Sequence, residues 1–101
     1  MNKIFYGGIF MDRENLKHNG IYNPIKIDYY KTEEMENDIK YGIEIVKTEY
    51  INEKTNIEIN NMYEISNKEQ EVDEILRLLK NNDVTPIGAE DIISDYFYSL
   101  D

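Results

Sequence analysis

"YGIEIVKTEYINEKTNIEINNMYEI", Tyr41 to Ile65, is the stretch that decides how the rest of the chain must fold. Tyr41, Ile43 and Ile45 alternate with Gly42 and Glu44. Ile57, Ile59, Tyr63 and Ile65 then alternate with Glu58, Asn60, Met62 and Glu64. Successive side chains on a strand point to opposite faces, so this period of two marks half-buried β-strands. The polar segment "NEKTN" (Asn52 to Asn56) joins the two runs, and together they read as an antiparallel hairpin. One face of that hairpin is apolar and needs a cover.

The last third of the chain supplies it. Val72, Ile75, Leu76 and Leu79 recur at i, i+3, i+4 and i+7, one stripe of a helix. "SNKE" ahead of them has the pattern of a capping box, with Ser66 as N-cap and Glu69 three residues on. Asn81-Asn82 suits the exit, because Asn tolerates the left-handed conformation. A second helix starts near Thr85-Pro86, where a proline at the first helical position loses no hydrogen bond. Its Ile92, Ile93, Tyr96, Phe97 and Leu100 share one face, while Asp91, Asp95 and Tyr98 project from the other.

Toward the N-terminus, Lys3 to Met11 reads as a strand with Gly7-Gly8 as a turn or bulge, and Asn19-Gly20 as a tight turn. "IKIDYY" sets Ile25, Ile27 and Tyr29 on one side of another strand. "KTEEMENDIK" (Lys31 to Lys40) has neither period and reads as mostly exposed loop. The expected fold is α+β: a small antiparallel sheet of three to four strands with two C-terminal helices packed on one face. At 101 residues it is a single domain, 1–101, with 1–22 as a loosely attached N-terminal hairpin.

Charge narrows the function classes. The chain carries 11 Lys/Arg and 21 Asp/Glu, a formal net of −10. Residues 1–50 hold seven basic and nine acidic groups (−2), and residues 51–101 hold four and twelve (−8). Phosphate backbones and anionic membrane surfaces are bound by clustered Lys/Arg, so neither is an expected partner; a basic protein surface is the electrostatic complement. There is no Cys, which removes disulfides and thiolate chemistry. "IFYGGIFM" is too short and Gly-broken to span a membrane, and the expected location is cytoplasmic.

Candidate chemistry is sparse. The Thr85-Pro86-Ile87-Gly88 turn has the look of a phosphate cradle, yet Glu90 and Asp91 follow in the first helical turn and no lysine is near. Glu33, Glu34, Glu36 and Asp38 offer oxygen ligands without a calcium-loop order, and read as a solvated loop. His18 is the lone histidine, beside a turn, and no serine or carboxylate pair stands out as catalytic. No enzyme activity, metal or cofactor is expected. Asp91 and Asp95 form a like-charge i,i+4 pair, which weakens a helix unless the charge is used or merely solvated. Glu90, Asp91, Asp95 and Tyr98, with Glu58 and Glu64 from the strand, are the candidate partner-binding residues. They suit an acidic regulator or inhibitor, phage or mobile-element encoded, that occupies a nucleic-acid-binding surface by charge mimicry. The alternatives are a homo-oligomeric structural or regulatory protein, a homodimer being its simplest form, and a small-ligand or cation module.

"YGIEIVK" (Tyr41 to Lys47) and "VTPIGAEDIISDY" (Val84 to Tyr96) resemble a functionally uncharacterised family of small proteins from spore-forming anaerobic Firmicutes. The resemblance covers about residues 40–97 and implies a strand pair, a Leu-rich helix, then a V-T-P turn before an acidic helix. It brings no activity and no catalytic residue.

Overall fold

A computed structural model describes residues 1–11, 23–36 and 38–99. Four strands, β1 (Asn2–Met11), β2 (Ile25–Glu34), β3 (Lys40–Ile51) and β4 (Lys54–Ser66), precede helix α1 (Glu69–Asn81), a 3-10 turn (Pro86–Gly88) and helix α2 (Ala89–Ser99). The strands pair antiparallel in chain order, β1-β2-β3-β4. Both helices pack together on the sheet, as the α+β reading requires. Residues 2–11 of the expected N-terminal hairpin form β1 against β2, while Asn19-Gly20, His18 and Leu100 lie outside the described residues.

Ile25, Ile27 and Tyr29 of β2 and Ile43 and Ile45 of β3 are buried beneath Val72, Ile75, Leu76 and Leu79 of α1 and Ala89 and Ile93 of α2. Each fully buried aliphatic of this kind is worth about 1.5–3 kcal/mol. Tyr29 is fully buried, and its hydroxyl donates to the Val84 carbonyl at 2.7 Å, so even the polar tip is satisfied. Burial, and secondarily the nearby Asp83 charge, raise the pKa of this phenol. At the sheet's far end Lys31 donates to Glu69 (2.6 Å) and Asp73 (2.9 Å), tying β2 to the first turns of α1.

The hairpin that decides the fold differs from expectation in one respect. Its turn is two residues, not five: Ile51 pairs with Lys54, and Asn52 takes a left-handed φ of 56°. Pairing therefore sets Ile43 opposite Met62 and Ile45 opposite Asn60, while Ile59 lies opposite Val46 and Ile57 opposite Thr48. Directly paired residues share a face, so Ile57 and Ile59 point away from the helices and Asn60 points toward them. There the Asn60 amide donates to the Pro86 carbonyl at 2.9 Å, satisfying a group at the start of the 3-10 turn.

Three smaller corrections follow from the same accounting of backbone groups. Lys31–Glu34 extend β2 in place of a loop, with Thr32 buried. Ser66 is still the last residue of β4, so it does not cap α1 in the expected box. Its hydroxyl accepts from the Lys68 N–H (3.0 Å) and donates to Glu71 (2.6 Å), and Lys68 stands at the N-cap. At the exit of α1, Asn82 bonds back to the Leu78 carbonyl through backbone and side chain, and the left-handed residue is Asp83 (φ 52°).

Two glycine sites depend on having no side chain. Opposite Gly42, β4 bulges between Met62 and Ser66 with Glu64 at φ 58°. A Cβ on Gly42 would lie 2.4 Å from the Met62 carbonyl oxygen. In β1, where the register shifts between Phe5 and Gly7, a Cβ on Gly8 would lie 2.8 Å from the Asp28 carboxylate.

Candidate protein-interaction surface

The helices cover one face of the sheet only. Register assigns the other face as Lys3, Phe5, Gly8 and Phe10 from β1, and Lys26, Asp28, Tyr30, Thr32 and Glu34 from β2. Lys40, Gly42, Glu44, Val46, Thr48 and Tyr50 come from β3, and Ile57, Ile59 and Asn61 from β4. Phe5, Phe10, Ile57 and Ile59 are each 56–60% exposed, and Tyr50 and Tyr63 are exposed as well. Scattered exposed apolar residues are ordinary, but here they share one sheet face.

The strands impose this arrangement. Phe5 meets Tyr30 edge-on at 5.6 Å between ring centroids, and Phe10 approaches Tyr50 at 6.4 Å. Between the aromatics, two carboxylates sink into the sheet. Glu44 (7% exposed) accepts from Lys3 at 2.8 Å and from the Tyr63 hydroxyl at 3.3 Å; Asp28 (8% exposed) sits 3.6 Å from Lys26. The hydrogen bond to Glu44 and its charge raise the Lys3 pKa, and the ammonium also stands 4.7 Å over the Tyr30 ring. The acids are thus matched by lysines on their own face. Phe5, Phe10, Lys26 and Tyr30 rim a groove of about 570 Å³, and Gly8 and Asp28 also line it.

The candidate residues from the sequence fall elsewhere. Glu90, Asp91, Asp95 and Tyr98 are all exposed on α2, Tyr98 at 83%, and among the described residues no ion pair reaches those three acids. Glu58 lies on the helix side of β4, 4.0 Å from Lys47. Glu64 sits at the bulge, roughly 20 Å along the strand from Glu58 at ordinary strand rise, and lines an acidic cleft with Glu34, Glu36, Asp38 and Lys40. The structure therefore gathers the four α2 residues and sets Glu64 far from Glu58. Among the described residues, no group of three or more His, Cys, Asp or Glu could hold a metal ion. No helix there is long and apolar enough to cross a membrane.

Phe5, Phe10, Ile57 and Ile59 are what sequence reasoning missed. For Ile57 and Ile59 the signal lay in the short Asn52-Glu53 turn, and for Phe5 and Phe10 in the bulge beside Gly7-Gly8.

A family model described as "Family of unknown function (DUF6514)" matches residues 1–99. It takes in β1 and β2 as well as the segment from 40 to 97 that carried the resemblance. No curated protein matches the chain, and no solved structure does.

Proposed function

The chain belongs to this family of unknown function, and from that premise we propose that it is a non-enzymatic protein-binding regulator whose contact surface is the uncovered face of the sheet. One observation carries the reading: Phe5, Phe10, Ile57 and Ile59 stand more than half exposed on one face of a four-stranded sheet. A sheet face of this kind on a small domain can serve as an interface, with apolar side chains along both edge strands and lysine-matched carboxylates between them. The regulator or inhibitor would serve a spore-forming bacterium, or a phage or mobile element, in its cytoplasm.

A photo-cross-linking residue at Phe10, in cells that make the protein, tests this against the same residue at Ile87. Ile87 is equally apolar and 83% exposed, but lies on the helix side. Capture of polypeptide from position 10 and not from 87 is expected; equal or no capture at 10 removes the reading.

A second reading has its own support, in the four exposed residues Glu90, Asp91, Asp95 and Tyr98 on α2. In it, α2 engages a basic, nucleic-acid-binding surface of a partner. Binding would then weaken with salt and with Asp91→Asn and Asp95→Asn, and a partner indifferent to both would dismiss it.

A further inference from the structure

We propose that the occupant of the uncovered face is a second copy of this chain, stacked sheet on sheet so that β1 of each copy lies over β4 of the other. This rests on reading that face as a binding surface, and adds which partner it takes.

Charge singles out this face. The chain as a whole carries −10, so two copies repel across most approaches. The uncovered face is the exception: its register positions hold Lys3, Lys26 and Lys40 against Asp28, Glu34 and Glu44, a net of zero. The first two lysines are already spent on Glu44 and Asp28 of the same sheet. Two such faces meet without a like-charge field, and a strongly basic partner finds no unpaired acid to answer it at the centre.

Area fits as well. The molecule is a slab of 45 × 28 × 17 Å, and the sheet forms its broad side. Four strands at about 4.8 Å spacing and about ten residues long give a footprint of roughly 600 Å² before side-chain relief is counted. A stable dimer buries about 800 Å² of accessible surface per partner, which is within reach of such a face.

The chemistry is unlike at the two edges, and this selects the axis. β1 contributes Phe5, Phe10 and the bare backbone of Gly8; β4 contributes Ile57 and Ile59. A two-fold axis parallel to the strands keeps each rung of paired residues level. It then sets Phe10 over Ile57 of the other copy, and Ile59 over the hollow at Gly8. An axis across the strands would set β1 on β1, ring against ring, and leave the hollows unfilled. Aligned sheets pack in this way about 10 Å apart. The two helix layers, with their acidic α2 faces, end on the outside of the assembly.

Light scattering on the purified full chain between about 5 µM and 500 µM tests the pairing. A doubled mass is expected at the upper end. Phe10→Asp and Ile59→Asp are expected to return it to the monomer mass, while Ile87→Asp on the helix side leaves it doubled. Because the chain has no Cys, single cysteines give a cleaner geometric test. Phe10→Cys chains mixed with Ile57→Cys chains should be joined by a short bismaleimide several-fold more than either alone. A wild-type chain monomeric throughout overturns the proposal. So does a dimer that all three Asp variants leave intact, or Phe10→Cys chains joining each other as readily as they join the mixture. If the chain is monomeric yet cross-linking from position 10 captures a different polypeptide, the dimer falls and the binding surface stands. If position 10 captures nothing, both fall.

Discussion

The two faces of the sheet are built from the same four strands and come out opposite. On the covered face, isoleucines from β2 and β3 meet leucines from α1, and two polar groups at that core have partners there: Tyr29 with Val84, Asn60 with Pro86. On the uncovered face aromatic and aliphatic side chains stand in water, and the buried polar groups are the Thr32 hydroxyl and two carboxylates held by lysines. The two central strands alternate between both faces without interruption, so strand propensity alone does not tell the faces apart. What separates them is whether a second layer has arrived.

The sharpest way to break that contrast is to truncate one side chain on each face. Leu76→Ala on the covered face is expected to cost about 2–5 kcal/mol in urea unfolding of dilute protein. Ile59→Ala on the open face is expected within about 1 kcal/mol of wild type, because its atoms leave water far less on folding. Comparable losses at both positions would mean that the open face is core.

Gly42 tests the rigidity of the scaffold between the faces. Gly42→Ala drives a Cβ toward the Met62 carbonyl and is expected to cost about 1–3 kcal/mol or more, read by the same unfolding midpoint. An unchanged midpoint would show that the bulge in β4 can relax. Glu64, in that bulge, should respond in the opposite direction. Its left-handed backbone suits glycine, so Glu64→Gly is expected to raise stability by about 1 kcal/mol, and a loss would assign its side chain a stabilising contact.

The smallest expected effect lies at the Lys31 clasp between sheet and α1. The hydrogen bond from Lys31, then its charge, hold the Glu69 carboxyl below the usual carboxylate range. A carboxyl depressed in the folded state adds stability above its unfolded pKa of 4.5, and loses it as pH falls through the lower folded value. For Lys31, burial opposes the charge but the bonds to Glu69 and Asp73 outweigh it, so its pKa is raised. Its contribution is complete below 10.5 and is lost as pH rises through the higher folded value. Lys31→Met should therefore flatten both the acid and the alkaline limbs of a stability-pH curve. Limbs identical to wild type would show that the clasp is only a surface contact.

Much of this architecture was legible in the residues. The stripe Val72, Ile75, Leu76, Leu79 gave α1, and the split of Ile93 from Asp91 and Asp95 gave the inward and outward sides of α2. What the alternation could not give was its phase. A five-residue turn over Asn52–Asn56 pairs odd positions of β3 with odd positions of β4, and gathers Ile43, Ile45, Ile57 and Ile59 on one face. A two-residue turn pairs odd with even and sends Ile57 and Ile59 to the other. The candidate surface went unseen for two reasons: the face of Ile57 and Ile59 rests on three residues of turn, and Phe5 and Phe10, an odd and an even position, share a face only because β1 bulges between Phe5 and Gly7. The acidic residues were legible as charge, yet charge does not say which strand face bears it, and Glu58 and Glu64 proved to sit in quite different surroundings.

The hydrogen bond between Tyr29 and Val84 also contrasts a long-range closure of the chain with a short one. The corner at Asn52-Glu53 closes a loop of two residues, whereas the Tyr29 clasp joins positions 55 apart. Each doubling of a flexible loop adds about 0.6 kcal/mol to the entropy of closing it, so the β3–β4 corner is the place where structure can start soonest. The phenol of Tyr29 reaches the Val84 carbonyl only where α1 has turned the chain back over β2. Of the two closures, the Tyr29 clasp is the one with the larger entropy to overcome.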